Sequence, residues 1–528
     1  MDRTERTEVA EPRVDSPGGD VEPGNVADLV RLSARSHPLR PAYIYRGVTL
    51  TWRQADDRVN QTAAAFKSLG LAEGDRVAVS LSNVLDFPMA YFGALRAGLV
   101  VVPLNPGLAP SELTHALQDS GARVLVTSGA GAAAVARVRD DAPGLQHVLV
   151  GESLQDAPGA VSFDALANSQ PTDDVTTTRG GESLAVLLYT SGTTGRPRGA
   201  MLSHRALLAN LRQLERIVPS VLNADDVALV VVPVFHVYGL NTGVGMAARR
   251  GACLVLEERF DPADSLDVIA SRGITAVLGT PAVYTAWSLY PDLGQAFATV
   301  RLALSGAAPL PASVLLRFLE VTGRHVFEGY GLTETAPVLT STLMSLVAKP
   351  DSIGRPVPGV ELRLETEDGT VVEPGDPGEI VVRGENLFSG YWPDGDGGPD
   401  DDGWWHTGDI AIRDDEGDLQ IVDRLKDLIL VNGFNVYPAE VERVLDKHPD
   451  IVSSAVFGVP HPFTGEAVKA VVVLREGSRL SEEDVAAFCE TRLARYKCPT
   501  TVEFTDSLPT TATGKIRKGV LRGTVSTF

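Results

Sequence analysis

The sequence predicts an α/β fold: a large N-terminal domain of two α/β lobes plus a β-barrel-like piece, followed by a small α+β C-terminal domain. Three patterns point there. Short Val-rich runs alternate with helically spaced stretches from Asn25 to about Val150 and again from Ser203 to Glu328, which indicates βαβ units and parallel sheets. After Pro350 the runs shorten and are divided by Asp-Gly and Pro-Gly turns, as in antiparallel β-structure. From Asp427 a compact mixture of strands and helices follows, and 528 residues are too many for one ordinary domain.

Trp52 to Leu69 has helical spacing, Arg76 to Ser80 reads as a strand and Phe87 to Ala97 as a helix. Leu99 to Pro103 and Arg123 to Thr127 are further strands, and Gly129 to Val135 begins a helix of small residues. Ala185 to Leu188 is an apolar run of the kind that makes a buried strand. Ser203 can cap a helix reaching about Ile217. Strands are expected at Val227 to Val232, Ala252 to Leu256, Thr275 to Leu278, Val300 to Leu304 and His325 to Glu328, with a helix over Leu310 to Val321. Val360 to Glu365, Glu379 to Arg383 and Leu419 to Val422 form the barrel-like piece. Pro393 to Gly403, dense in Asp and Gly, lacks the Asp-x-Asp-x-Asp-Gly order and closing Glu of a calcium loop, and reads as a solvated surface loop. The last unit has a strand to Val431, helices at Pro438 to Leu445 and Ser481 to Ala494, and strands at Val452 to Phe457, Ala467 to Leu474 and Thr501 to Phe504. The domain boundary falls at Arg424 to Asp427.

A formal net charge of −21 argues against nucleic acid or an anionic membrane as a general partner, so an anionic substrate needs local cations and a metal ion. Three cysteines, Cys253, Cys489 and Cys498, show no metal-ligand spacing and suit no disulfide framework; thiols in a reducing cytoplasm are expected. No uncharged apolar run reaches bilayer-spanning length, and residues 1–24, charged and rich in Pro and Gly, are expected to be disordered.

The stretch from Tyr189 to Gly199 offers hydroxyls and glycines in alternation after a buried strand. Glycines bring backbone amides close to a ligand and Ser and Thr add donors, the chemistry of a polyphosphate cradle; a flexible hairpin loop is the plain alternative. Its glycines are too close together for the P-loop pattern, and Arg196-Pro197 stands where Lys-Ser would. In Glu328-Gly329-Tyr330-Gly331-Leu332-Thr333-Glu334, a tyrosine between glycines suits a flat ring such as adenine, and a carboxylate suits Mg2+. A structural turn would look the same. Asp409 and Arg424 suit ribose hydroxyls or an ordinary salt bridge, and Lys515, after Gly514 in a Thr-rich segment, reads by itself as a surface lysine.

Taken together and in this order, these clusters resemble the acyl-adenylate-forming superfamily, which includes acyl-CoA synthetases, coumarate-CoA ligase-like enzymes, firefly luciferase and peptide-synthetase adenylation domains. The resemblance covers about Asn25 to Arg522. It implies an adenylation domain over 25–424, a hinge at 425–426 centred on Lys426, and a mobile domain over 427–528. It further implies that Thr190, Ser191, Gly192, Thr193, Thr194 and Gly195 wrap the phosphates of ATP. Gly306, Ala307 and Ala308, with Glu328, Gly329, Tyr330 and Gly331, would flank adenine; Thr333 would meet the α-phosphate and Glu334 hold Mg2+. Asp409 and Arg424 match the ribose pair, and Lys515 the lysine bridging carboxylate and α-phosphate. Gly433 would lie near the pantetheine of coenzyme A when the small domain turns. Two departures stand out: Arg198 replaces the usual Lys after the phosphate loop, and Asn432 stands where luciferases and coumarate ligases tend to carry Lys.

Phe235, His236, Val237 and Tyr238, with Gly306 and Gly331, fall where that family lines and gates its acyl pocket; a packed, hydrogen-bonded histidine is the plain alternative at His236. No Asp appears from Pro233 to Thr242 to hold a substrate ammonium, which favours an apolar or aryl acid over an amino acid. The expected activity is ATP-dependent conversion of a carboxylic acid, a fatty acid first, to acyl-AMP and then acyl-CoA. Loading of a separate carrier protein, aryl or cinnamate-type substrates and an inactive nucleotide-binding relic are the alternatives. The expected partners are the small molecules, with room for a homodimer, in the cytoplasm.

Overall fold

The protein is described here by a computed structural model covering residues 23–136, 139–151, 159–190, 197–345, 347–424, 427–431, 434–461, 464–511 and 514–523. Residues 1–22 of the expected disordered terminus lie outside that range.

The two expected lobes are two large sheets. In the seven-stranded sheet the order is Val161–Ser162, His147–Val150, Val124–Thr127, Arg76–Ser80, Val100–Pro103, Leu184–Thr190, Arg198–Ser203. All its pairs are parallel except the last, where Arg198–Ser203 returns antiparallel to Leu184–Thr190. The nine-stranded sheet has a parallel centre of Pro41–Tyr45, Cys253–Leu256, Val227–Val230, Ala276–Gly279, Leu302–Ser305 and Val326–Gly331. Strands such as Val-Val-Val-Pro at Val100–Pro103 are buried on both faces, which is why they read as unbroken apolar runs. One hydrophobic core joins the sheets through Phe87, Tyr91, Leu207 and Leu211. Ser203 does cap the helix His204–Glu215, accepting from the Ala206 amide at 3.1 Å.

Four elements differ from the sequence expectation. The strand at His325 to Glu328 runs on, as Val326–Gly331, because Gly329, Tyr330 and Gly331 pair antiparallel with Ser341, Thr340 and Val338. Arg198–Ser203 is a strand where only a loop leading into a helix was expected. The barrel-like piece is an open four-stranded antiparallel sheet, Glu361–Glu365, Pro377–Arg383, Trp404–Arg413 and Leu419–Arg424, whose outer strands do not pair with each other. The helix expected to reach Ala494 is Glu482–Glu490, after which the chain turns to seat Leu493 and Cys498 against the small core.

That small core belongs to a five-stranded sheet: Phe434–Val436, Ile429–Val431, Gly465–Leu474 and Ile451–His461, with Thr501–Phe504 beside Gly465–Leu474. The four-stranded sheet ends at Arg424 and the five-stranded sheet takes its first strand at Ile429.

Candidate active site

Parallel sheets leave a crevice beyond the carboxyl ends of their strands. Here the ends of Val100–Pro103, Leu184–Thr190, Leu302–Ser305 and Val326–Gly331 open on one cavity of about 990 Å³. Thr190, Phe235, His236, Val237 and Tyr238 line it, as do Gly306, Ala307, Gly329, Tyr330, Gly331, Thr333 and Glu334. Lys515 reaches the same cavity from the C-terminal segment, together with Arg517. Residues more than 300 positions apart in sequence therefore share one space.

Local geometry explains several of these positions. A Cβ on Gly331 would lie 1.7 Å from the Pro337 carbonyl oxygen, so only glycine lets the chain fold back onto Val338–Ser341. Ala307 has φ +74°, a left-handed conformation costly for a residue with a Cβ, and it stands at the cavity rim after Leu302–Ser305. The Tyr330 hydroxyl donates to Asp409 Oδ2 at 2.7 Å, which ties the tyrosine to the antiparallel sheet. Asp409 pairs in register with Arg424, which is described through its backbone only.

Glu334 is buried, and its Oε1 accepts from the Tyr391 hydroxyl at 2.7 Å. Its carbonyl accepts from the Phe388 amide at 2.9 Å. Burial and the neighbouring carboxylate hold the Tyr391 phenol well above its usual range, so it stays a donor. The second Glu334 oxygen takes no hydrogen bond among the described residues, and no group of three or more His, Cys, Asp or Glu side chains there could cage a metal. One carboxylate beside phosphates fits Mg2+, which keeps waters and shares phosphate oxygens rather than demanding a full protein cage.

His236 is enclosed, and burial followed by the nearby Lys515 ammonium lowers its pKa to about 4. The Tyr238 amide donates to its Nδ1 at 3.4 Å, which leaves the neutral ring's proton on Nε2. A π-helix, Tyr238–Gly245, follows directly. Beyond it the cavity is walled by apolar Leu214, Ile217, Val221, Val338 and Leu343. Three buried hydroxyls of lining residues, Tyr238, Thr242 and Ser305, have no hydrogen-bond partner among the described residues.

The Lys515 segment is a tight hairpin. The Lys515 amide donates to Thr511 Oγ1 at 3.1 Å, and the Thr511 amide donates to the Lys515 carbonyl at 2.8 Å. Thr511 and Gly514 also wall a second cavity of about 330 Å³, and Phe235 and Thr511 line both.

Of the sequence candidates, Ala308, Glu328 and Asp409 do not line the main cavity. Glu328 turns its Oε2 to the Leu310 amide at 3.0 Å, and burial raises its pKa to about 7. Ser191, Gly192, Thr193, Thr194, Gly195, Lys426 and Gly433 lie outside the described residues. Sequence reasoning missed Tyr391, although Gly390-Tyr391-Trp392 repeats the glycine-aromatic signal of Gly329-Tyr330. The apolar walls carried no signal, since Leu214 and Ile217 look like any helix core residues.

A profile of AMP-binding enzymes matches residues 30–392, and one for the AMP-binding enzyme C-terminal domain matches 440–515. The chain is 37% identical to a long-chain-fatty-acid–CoA ligase of Escherichia coli O157:H7, covering 94% of each chain. It is 40% identical to a feruloyl-CoA synthase of an Amycolatopsis species over 93% of this chain and 96% of the other. Among solved structures, ATP-bound MatB from Rhodopseudomonas palustris superposes with a TM-score of 0.87 at 33% identity, covering 95% of this chain and 99% of MatB. The apo form of the same protein, over the same shares, gives 0.75 at 34% identity.

Proposed function

We propose that this chain, which belongs to the AMP-binding enzyme family, activates a carboxylic acid with ATP and passes the acyl group to coenzyme A. In the first half-reaction a carboxylate oxygen attacks the α-phosphorus, the bond to the β-phosphate oxygen breaks, and pyrophosphate leaves with that electron pair. In the second, the CoA sulfur attacks the acyl carbon, the thiol proton is lost to solvent, and AMP leaves. The observation that carries the reading is Lys515 in one cavity with Thr333, Glu334, Tyr330 and His236.

The residues divide the work as follows. The loop from Thr190 to Gly195 wraps the β- and γ-phosphates, with Thr333 at the α-phosphate. Tyr330 and the Gly306–Ala307 edge flank adenine, and Asp409, set just behind the lining residue Gly408, holds the ribose with Arg424. Lys515 stabilises the charge that builds as carboxylate meets phosphorus. His236, neutral and with its proton on Nε2, offers a hydrogen bond beside that lysine without adding repulsion. Magnesium held by Glu334 would neutralise phosphate charge when ATP is bound. The domain over 427–528 then turns about Lys426, withdrawing Lys515 and presenting the Val431 to Asn435 face, with Gly433, to the thiol. The better match to ATP-bound than to apo MatB supports reading the present arrangement as the adenylating one.

A fatty acid is the first choice of substrate, supported by the apolar wall of Leu214, Ile217, Val221 and Leu343. A hydroxylated aryl acid is the second, favoured by the Tyr238, Thr242 and Ser305 hydroxyls, unpartnered among the described residues, which a polar ring substituent would satisfy. Three buried thiols without a disulfide suit the cytoplasm, where ATP and CoA are supplied. No helix of the described residues is long and apolar enough to cross a membrane.

Pyrophosphate release over a panel of fatty and aryl acids tests the reading, with AMP release compared with and without CoA. Lys515→Ala should slow pyrophosphate release on the order of a hundred- to a thousandfold, yet largely spare thioester formation from pre-made acyl-AMP. Equal loss in both assays would contradict the two-orientation mechanism.

A further inference from the structure

Arg198 opens the strand that returns from the phosphate loop, and its guanidinium lies 3.7 Å from the centroid of the Tyr391 ring. That ring meets Phe388 edge-on at 5.0 Å and 76°, and Phe388 in turn meets Trp405 at 5.2 Å and 72°. Its hydroxyl can therefore point in few directions, and it points at Glu334 Oε1, 2.7 Å away. The backbone is held as well. The Met201 amide donates to the Gly390 carbonyl at 3.1 Å, Ser389 to Met201 at 2.9 Å, and Trp392 to Gly199 at 2.8 Å. Residues 389–392 thus run as an added partner of Arg198–Ser203. Gly397, at φ +70°, folds over both side chains; a Cβ there would sit 3.3 Å from the Tyr391 ring and 3.7 Å from Arg198 Nη2.

We propose that Tyr391, clamped by Arg198, is a positioning residue for Glu334: it pins one carboxylate oxygen so that the other is presented to the metal carried by the nucleotide. The proposal rests on Glu334 as the metal ligand in the function described above. A carboxylate free to rotate has to be ordered each time metal arrives, and a fixed donor on one oxygen removes that cost in advance. The same bridge couples Glu334 to the strand leaving the phosphate loop, so phosphate binding and metal binding share one support. It also accounts for arginine at position 198. A planar guanidinium stacks on a phenol ring, whereas an ammonium in its place would contribute charge without that fit.

The test is Mn2+ binding to the full chain with a non-hydrolysable ATP analogue, read by electron paramagnetic resonance. Tyr391→Phe should weaken Mn2+ about tenfold, and Arg198→Lys by a smaller factor of the same sign. The pyrophosphate-forming rate of Tyr391→Phe should recover as Mg2+ is raised. Glu334→Gln is the reference and should lose most Mn2+ binding. If Glu334→Gln binds Mn2+ like the wild type, the metal assignment fails and the proposal falls with it. If Glu334→Gln weakens binding and Tyr391→Phe does not, the positioning role alone is overturned. Should Tyr391→Phe not fold, Arg198→Lys decides, because an unchanged Mn2+ dissociation constant there breaks the bridge.

Discussion

His236 stands where a protonated imidazole would repel the lysine that the tail delivers, and burial keeps it neutral with a pKa of about 4. His204, buried with its Nδ1 accepting from the Val26 amide at 3.0 Å, is lowered further, to about 3. Both rings take up protons near 6.5 in the unfolded chain. The unfolded state thus binds more protons between 6.5 and those folded values, so stability is complete above pH 6.5 and lost as pH falls. Urea midpoints should drop from pH 6.5 towards 4, and His204→Asn, which keeps an acceptor for Val26, should flatten that dependence. An unaltered slope would remove His204 from the account. At this scale the sequence marked His236, Thr333, Glu334 and Lys515 by residue type and neighbours. It did not mark Tyr391, because its partner Glu334 lies 57 positions away.

The strand Val326–Gly331 shows what one backbone position controls. Its last residues leave the parallel sheet and pair with Val338–Ser341, bringing Tyr330 and Glu334 to the cavity. Gly331→Ala would drive a Cβ into the Pro337 carbonyl oxygen, and a cost of about 1–3 kcal/mol is expected for a displacement of that kind. Equilibrium unfolding in urea measures it, and pyrophosphate release should fall in parallel because the same shift moves Glu334. The strand was legible as far as Glu328, where the Val-rich pattern ends. Its continuation was not, because an antiparallel partner twelve residues downstream decides it (Gly329 with Ser341).

Across the whole molecule, the Lys515 hairpin touches the large domain where Ala282 lies. A Cβ on Gly514 would be 3.6 Å from Ala282 Cβ, within disulfide reach. The double variant Ala282→Cys, Gly514→Cys should oxidise to a bond that locks the adenylating arrangement. A cysteine at φ +84° adds strain of about 1–2 kcal/mol. Burst pyrophosphate release should survive oxidation, thioester formation should stop, and reductant should restore it. Full turnover in the oxidised form would mean that no swing is needed.

Order along the chain was enough to establish the α/β class and most of its strands, because strands, caps and glycine turns answer to near neighbours. Which groups meet was decided only in three dimensions. Thr190, His236, Glu334 and Lys515 share a cavity because two sheets end on the same crevice and a C-terminal hairpin reaches into it. Contacts across such distances depend on how sheets pack, and local patterning does not encode that.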